Sequence, residues 1–305
     1  MGYSDIVCLY GWKQEVICMS KTTVSLVLGS GGARGLTHIG IIHWLEENNF
    51  QIKSISGCSA GALIGGIYAA GKMDEFEQWV TAIDKVAMAK LLDISWQSSG
   101  LFKGDKIINT LVDLIGDVMI EDLPIPYTAV ATNVDEEKEV WINSGKLFDA
   151  IRASISLPLF FTPYVIEGEN LIDGGVLNPV PIAPTFGDKT DLTLAVNLGG
   201  DLIKSAPRNL SRQLHPNHSI QDRISKYIDK VQGSVLDSLN INFAAFDIAN
   251  QAFDAMQGTI ARQKLAAYPP DKIIDIPQNL CGTLEFDRAE EMIEYGYNAA
   301  RLAFK

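Results

Sequence analysis

What the chain lacks narrows its function before any motif is read. No apolar run reaches the ~18 residues that a transmembrane helix needs. Cysteine is scarce: Cys8, Cys18, Cys58 and Cys281 are all there are, and none forms a C-x-x-C pair, so neither a zinc ribbon nor a redox motif is indicated. Sparse, scattered thiols suit a reducing compartment, with buried free thiols as the default. Basic charge is in deficit. Lys and Arg number 25 against 37 Asp and Glu, a formal net charge of −12. That balance argues against nucleic acid as a partner and against strong electrostatic attraction to anionic membranes. Lipid substrates met through apolar surface stay open. The start has no basic region followed by a long apolar core, because Lys13 and Glu15 interrupt it, so no signal peptide is expected. Position 6 is Ile, where a myristoylation signal wants Ser or Thr. A cytoplasmic location is the expectation, with peripheral membrane contact compatible.

What is present is an ordinary globular composition. Of 305 residues, 47% are hydrophobic, enough for a sizeable core. Residues 1–21 read as an extension of unclear structure, in which Ile6 to Tyr10 and Val16 to Met19 are candidate strands. From Thr23 the pattern is regular. A β-branched run to Leu28 breaks at a glycine loop. A helix to about Asn48 follows, then a second strand from Ile52. Strand, loop, helix, strand is a βαβ unit and implies parallel strands. Helical spacing recurs after Asp74 and after Gly104. Hairpin signals lie at Tyr127–Ile142 and Tyr164–Ile172, and a buried strand at Asp191–Leu198. Residues 201–267 read as a polar loop followed by a long helical region, broken near Gly233 or Asn240–Asn242. A late strand and a closing helix complete the chain. The alternation predicts a three-layer α/β/α sandwich with a mainly parallel central sheet, residues 22–305 forming one domain.

Three stretches carry chemistry. Gly57-Cys58-Ser59-Ala60-Gly61 is G-x-S-x-G between a strand and a helix, the form of a nucleophile elbow. Side chains at Gly57 or Gly61 would crowd the tight turn. The helix N-terminus behind Ser59 favours negative charge. Cys58 is read as a small elbow residue. Gly29-Ser30-Gly31-Gly32-Ala33-Arg34-Gly35 is neither a dinucleotide fingerprint nor a P-loop. Its backbone can still present N–H groups to an anion. Gly31 and Gly32 are candidate oxyanion donors with Ala60, Ala33 lies among them, and Arg34 could hold the loop or steer an anionic head group. Asp173, in Leu171-Ile172-Asp173-Gly174-Gly175, is delivered by an apolar strand into a glycine turn. There a dehydrated carboxylate could act as general base. Each stretch alone is also an ordinary turn. The four histidines are His38, His43, His215 and His218. A triad on this elbow would need one of the two later ones, which sit in the polar loop. His38 has core spacing. His215-Pro-Asn-His218 has a metal-like interval but no further ligand nearby, so no metal site is assigned.

Taken in order, these stretches resemble the patatin-like phospholipases over roughly residues 23–305. The glycine loop with Gly29 resembles that family's oxyanion loop, Ser59 with its flanking glycines resembles its elbow, and Asp173 with Gly174 and Gly175 resembles its aspartate element. Arg152-Ala153-Ser154-Ile155-Ser156-Leu157-Pro158 is similar to the segment that precedes that aspartate in bacterial-type members, and Ser30 replaces a common glycine. The resemblance implies a Ser–Asp dyad without histidine. It implies no cofactor and no metal. It also implies hydrolysis of a phospholipid, lysophospholipid or other acyl-ester lipid. The alternatives are a Ser-Asp-His esterase using His215 or His218, and a non-catalytic protein that senses acyl chains or a partner.

Overall fold

The computed structural model describes residues 6–10, 16–91, 102–203 and 243–305. At the start, β1 (Ile6–Tyr10) and β2 (Val16–Ser20) form a separate antiparallel two-stranded sheet. The main sheet begins with β3 (Thr22–Leu28) and continues with β4 (Phe50–Cys58), β5 (Tyr127–Asn133), β6 (Lys138–Ile142), β7 (Tyr164–Ile166), β8 (Glu169–Asp173), β9 (Leu192–Gly200) and β10 (Lys272–Pro277). Its order is β10-β9-β3-β4-β5-β8-β7, with β6 paired to β5 off this path. The pairs from β10 to β5 are parallel, and the β5–β8, β8–β7 and β5–β6 pairs are antiparallel.

Period-two patterning decides which face each side chain joins. On β3, Val24, Leu26 and Leu28 enter the large core, whereas Val27 enters a second cluster with Val180, Ile182, Ala195, Ala261 and Leu265. Helices α1 (Thr37–Glu47), α2 (Ala60–Ala69) and α8 (Ala289–Ala303) bury their apolar sides in the large core. Helices α3 (Met73–Thr81) and α5 (Asp105–Ile115) add Phe76, Val80, Leu111 and Ile115 to it, and the short α4 (Lys85–Leu91) packs beside them. Helix α7 (Phe243–Ala267) supplies Ala261 and Leu265 to the opposite cluster. The sheet thus has helices on both faces, the expected three layers. The expected helical region before residue 243, its proposed breaks, and most of the polar loop lie outside the described residues.

One feature of register positions the site. The first half of β5 pairs with β4, ending at Cys58 opposite Val130. Along the same edge, the second half pairs with β8, which runs the other way and ends at Asp173 opposite Ala131. The other edge of β5 is taken by β6. Strands β4 and β8 therefore meet head to head, and the residues that leave their ends, Ser59 and Asp173, are brought together.

Candidate active site

Ser59 sits between β4 and α2 (Ala60–Ala69) with φ 53° and ψ −121°. A non-glycine residue in that region is strained and needs surrounding structure to hold it. Close packing supplies part of the hold. A Cβ on Gly57 would lie 2.4 Å from the Gly61 carbonyl oxygen, and one on Gly61 would lie 2.1 Å from that of Leu28. The crossing of turn and strand therefore admits no side chain at either position. Ser59 is 8% exposed and Asp173 1%.

The Ser59 hydroxyl donates to Asp173 Oδ2 at 2.6 Å, while the Gly175 N–H donates to Asp173 Oδ1 at 2.7 Å. One carboxylate oxygen is thereby tethered to the turn, and the other faces the serine. Burial pushes the Asp173 pKa up to about 6, against the opposing pull of the Ser59 and Gly175 hydrogen bonds. It is a carboxylate at neutral pH and a stronger base than a solvated one.

The neighbouring backbone is sorted by who already accepts its N–H groups. Gly29 donates to Val196, Ser30 to Pro179 and Ala33 to Thr283. Ala33 is therefore not an available oxyanion donor, a correction to the expectation that grouped it with Gly31 and Gly32. Gly31 caps the 3-10 turn Gly32–Leu36, and Ala60 begins α2. N–H groups at those positions precede the first intrahelical bond. Arg34 is buried, with Nη1 donating to the Cys281 carbonyl at 3.4 Å and Nη2 3.7 Å from Asp254 Oδ1 on α7. Its charge is shared between loop anchoring and an ion pair that sequence reading had no means to find.

Two cavities meet at Ser59. One of about 40 Å³ is edged by Ser30, Arg34, Asp254 and Gln257 together with Leu157, Phe160 and Phe253. The other, of about 110 Å³, is walled by Leu63, Phe76, Trp79, Val80, Leu111 and Phe161. A cavity of mixed polar and apolar lining and a nearly wholly apolar recess meet at one hydroxyl, an arrangement that suits an amphiphile whose reacting bond lies between its two halves.

The other sequence candidates fall away from the chemistry. Burial, reinforced by Asp173, pushes the Cys58 thiol well above its ordinary pKa, so it stays neutral. His38 is fully buried with Nε2 3.0 Å from the Gly29 carbonyl oxygen, and burial lowers its pKa to about 4. The neutral ring donates from Nε2. His43 pairs with Glu77 at 3.1 Å. Among the described residues no imidazole is bonded to Ser59 or Asp173, and none forms a metal-ligand cluster. His215 and His218 lie outside the described residues. Sequence reading quoted Ser154 and Ser156 only as part of a similar segment. The structure aims Ser154 at the elbow, its hydroxyl accepting from the Ser59 N–H at 2.9 Å.

A helix-flanked, largely parallel sheet with a buried Ser–Asp pair and a glycine loop defines a patatin-type fold. The chain matches the family model described as Patatin-like phospholipase over residues 26–186, more than half its length. An uncharacterized NTE family protein of Mycobacterium bovis is 35% identical over 94% of this chain and 92% of that one. The chain belongs to the patatin-like phospholipase family. Two larger relatives are similar to it over a small part of their length. Lysophospholipase nte1 of Emericella nidulans is 27% identical over 90% of this chain and 18% of its own. Lysophospholipase NTE1 of Kluyveromyces lactis is 30% identical over 92% and 19%. The crystal structure of VipD from Legionella pneumophila matches at a TM-score of 0.44 and 13% identity, over 98% of this chain and 70% of that one.

Proposed function

We propose that the chain is a serine hydrolase of acyl-ester lipids, with a lysophospholipid or phospholipid as substrate class. Ser59 is the nucleophile and Asp173 the general base. The observation that carries this reading is the 2.6 Å hydrogen bond from the Ser59 hydroxyl to a buried carboxylate, where a cavity of mixed lining meets an apolar one. Family membership and the lysophospholipase names of two relatives support the substrate class.

In the proposed cycle the acyl chain enters the apolar recess and the ester carbonyl reaches Ser59. Asp173 Oδ2 takes the hydroxyl proton as Ser59 Oγ bonds to the carbonyl carbon. The oxyanion is held by N–H groups of Gly31, Gly32 and Ala60 at the start of α2. Collapse breaks the ester C–O bond, and the departing alcohol takes the proton from Asp173. Water then loses a proton to Asp173 and attacks the acyl carbon; collapse breaks the bond to Ser59 Oγ, which takes the proton back from Asp173, freeing the fatty acid and restoring Ser59. No imidazole is used. Among the described residues no helix is long and apolar enough to cross a membrane.

Incubation with a fluorophosphonate followed by intact-mass measurement tests the nucleophile. One adduct on the wild type and none on Ser59→Ala is expected, together with fatty acid release from lysophospholipid by the wild type alone. A wild type that neither labels nor releases fatty acid would overturn hydrolysis and leave acyl-chain sensing.

A further inference from the structure

Helix α6 (Leu147–Ser154) and the residues after it touch both members of the pair without entering the reaction. Ser154 is fully buried. Its hydroxyl accepts from the Ser59 N–H at 2.9 Å and donates to the Val130 carbonyl at 2.6 Å. Val130 lies opposite Cys58 on β5, where β4 and β8 meet. Two positions on, the equally buried Ser156 accepts the Asp173 N–H on its carbonyl oxygen at 3.0 Å. The Ser156 hydroxyl is fixed in turn, receiving Arg152 Nη1 at 2.6 Å and donating to the Arg152 carbonyl at 2.7 Å. Arg152 is itself clamped, donating to Lys103 and Thr162 and lying over the Phe161 and Tyr164 rings.

We infer that the end of α6 is the jig that sets the separation of Ser59 and Asp173, and that Ser154 is a positioning residue for the nucleophile. The geometry requires such a device. Ser59 holds a φ,ψ combination that only its surroundings enforce, and among the described residues its N–H has no partner but Ser154. Without the Ser154 oxygen a buried donor is left unmade, and the elbow can relax by turning the serine away from Asp173. Because Ser154 and Ser156 belong to one short segment, a shift of that segment moves both reactants together and preserves their contact. Two separate supports would not. The inference rests on the Ser59–Asp173 reading.

The test compares wild type, Ser154→Ala, Ser59→Ala and Asp173→Asn on a soluble acyl ester across pH, with thermal melts alongside. For Ser154→Ala the expected result is a fall in kcat of about 10- to 100-fold with KM changed less than about twofold, the size of one unmade buried hydrogen bond. Its acid limb should also move above the wild-type position, since the Ser59 hydrogen bond is one of the influences that lowers the Asp173 pKa. A purely structural loss would not move that limb. Wild-type kcat, or a lowered kcat with the limb in place, overturns the inference. Should Ser154→Ala fail to fold, Ser154→Cys keeps the volume with a weaker acceptor, and the same two outcomes apply with smaller changes. If Ser59→Ala or Asp173→Asn retains turnover, the underlying reading fails instead, whatever Ser154→Ala does.

Discussion

Asp173→Asn and Ser59→Ala should be alike in activity and opposite in stability. Burial raises the Asp173 pKa from 3.8 to about 6. The folded protein therefore binds that proton over a hundredfold more tightly than the unfolded chain, and holding the site ionised costs about 3 kcal/mol. The sign follows from which state holds the proton. Between pH about 4 and about 6 the native state binds more protons, so this contribution to stability falls as pH rises, and it is fully lost above pH about 6. Asparagine is never charged. Its oxygen can keep the Gly175 N–H, and its amide can donate to Ser59 Oγ. At pH 8 the variant should gain up to about 3 kcal/mol, or roughly 5 °C in Tm for a chain of this size. Ser59→Ala instead removes the one side-chain donor to Asp173 Oδ2 among the described residues, leaving a buried anion underbonded at a cost of about 1–3 kcal/mol. Melts of both variants and wild type from pH 4 to 8 decide the matter. The gap between Asp173→Asn and wild type should open between pH about 4 and about 6 and then stay level. An asparagine variant less stable than wild type at pH 8, or a gap independent of pH, would refute the reasoning.

Three further outcomes follow from the same geometry. The rate on a soluble ester should fall on the acid side with an apparent pKa near 6, because Asp173 must be ionised to accept the proton; a flat profile from pH 8 to pH 5 contradicts it. Changing His215 and His218 together to Ala should leave kcat/KM within about threefold, whereas a triad would lose about 10³-fold or more. Leu63→Trp should fill the apolar recess beside Ser59, and the ratio of kcat/KM for long over short acyl chains should drop by about tenfold or more, since each excluded CH₂ forfeits about 0.8 kcal/mol; an unchanged ratio places the acyl chain elsewhere.

The elbow and the glycine loop were legible in the sequence because their requirements are local. Gly57 and Gly61 mark a crossing that no side chain can enter, and such constraints are written at the position itself. The β3-α1-β4 unit was equally local, its first strand marked by the apolar run to Leu28. The partnership of Ser59 with Asp173 spans 114 positions. Residue patterns left Asp173 open between a general base for Ser59 and a hairpin turn, and the ordered resemblance favoured the base. What joins them physically is the head-to-head ending of β4 and β8 on one edge of β5, a non-local pairing with no sequence signature. Ser154 was illegible for a similar reason. A serine at a helix end reads as a cap or a surface residue, and its role depends on where the fold aims α6. Ala33 was grouped with the oxyanion donors, and the Thr283 carbonyl that occupies its N–H comes from the far end of the chain, out of reach of any reading of the loop itself.

The claim at the centre is that a buried carboxylate alone makes the Ser59 hydroxyl reactive. It is tested most directly by kcat/KM of Asp173→Asn on a soluble acyl ester at pH 7.5, with folding verified by the melt. The expected result is a fall of about 10²- to 10⁴-fold, the span of a lost general base. A folded Asp173→Asn protein within about threefold of wild type would contradict it.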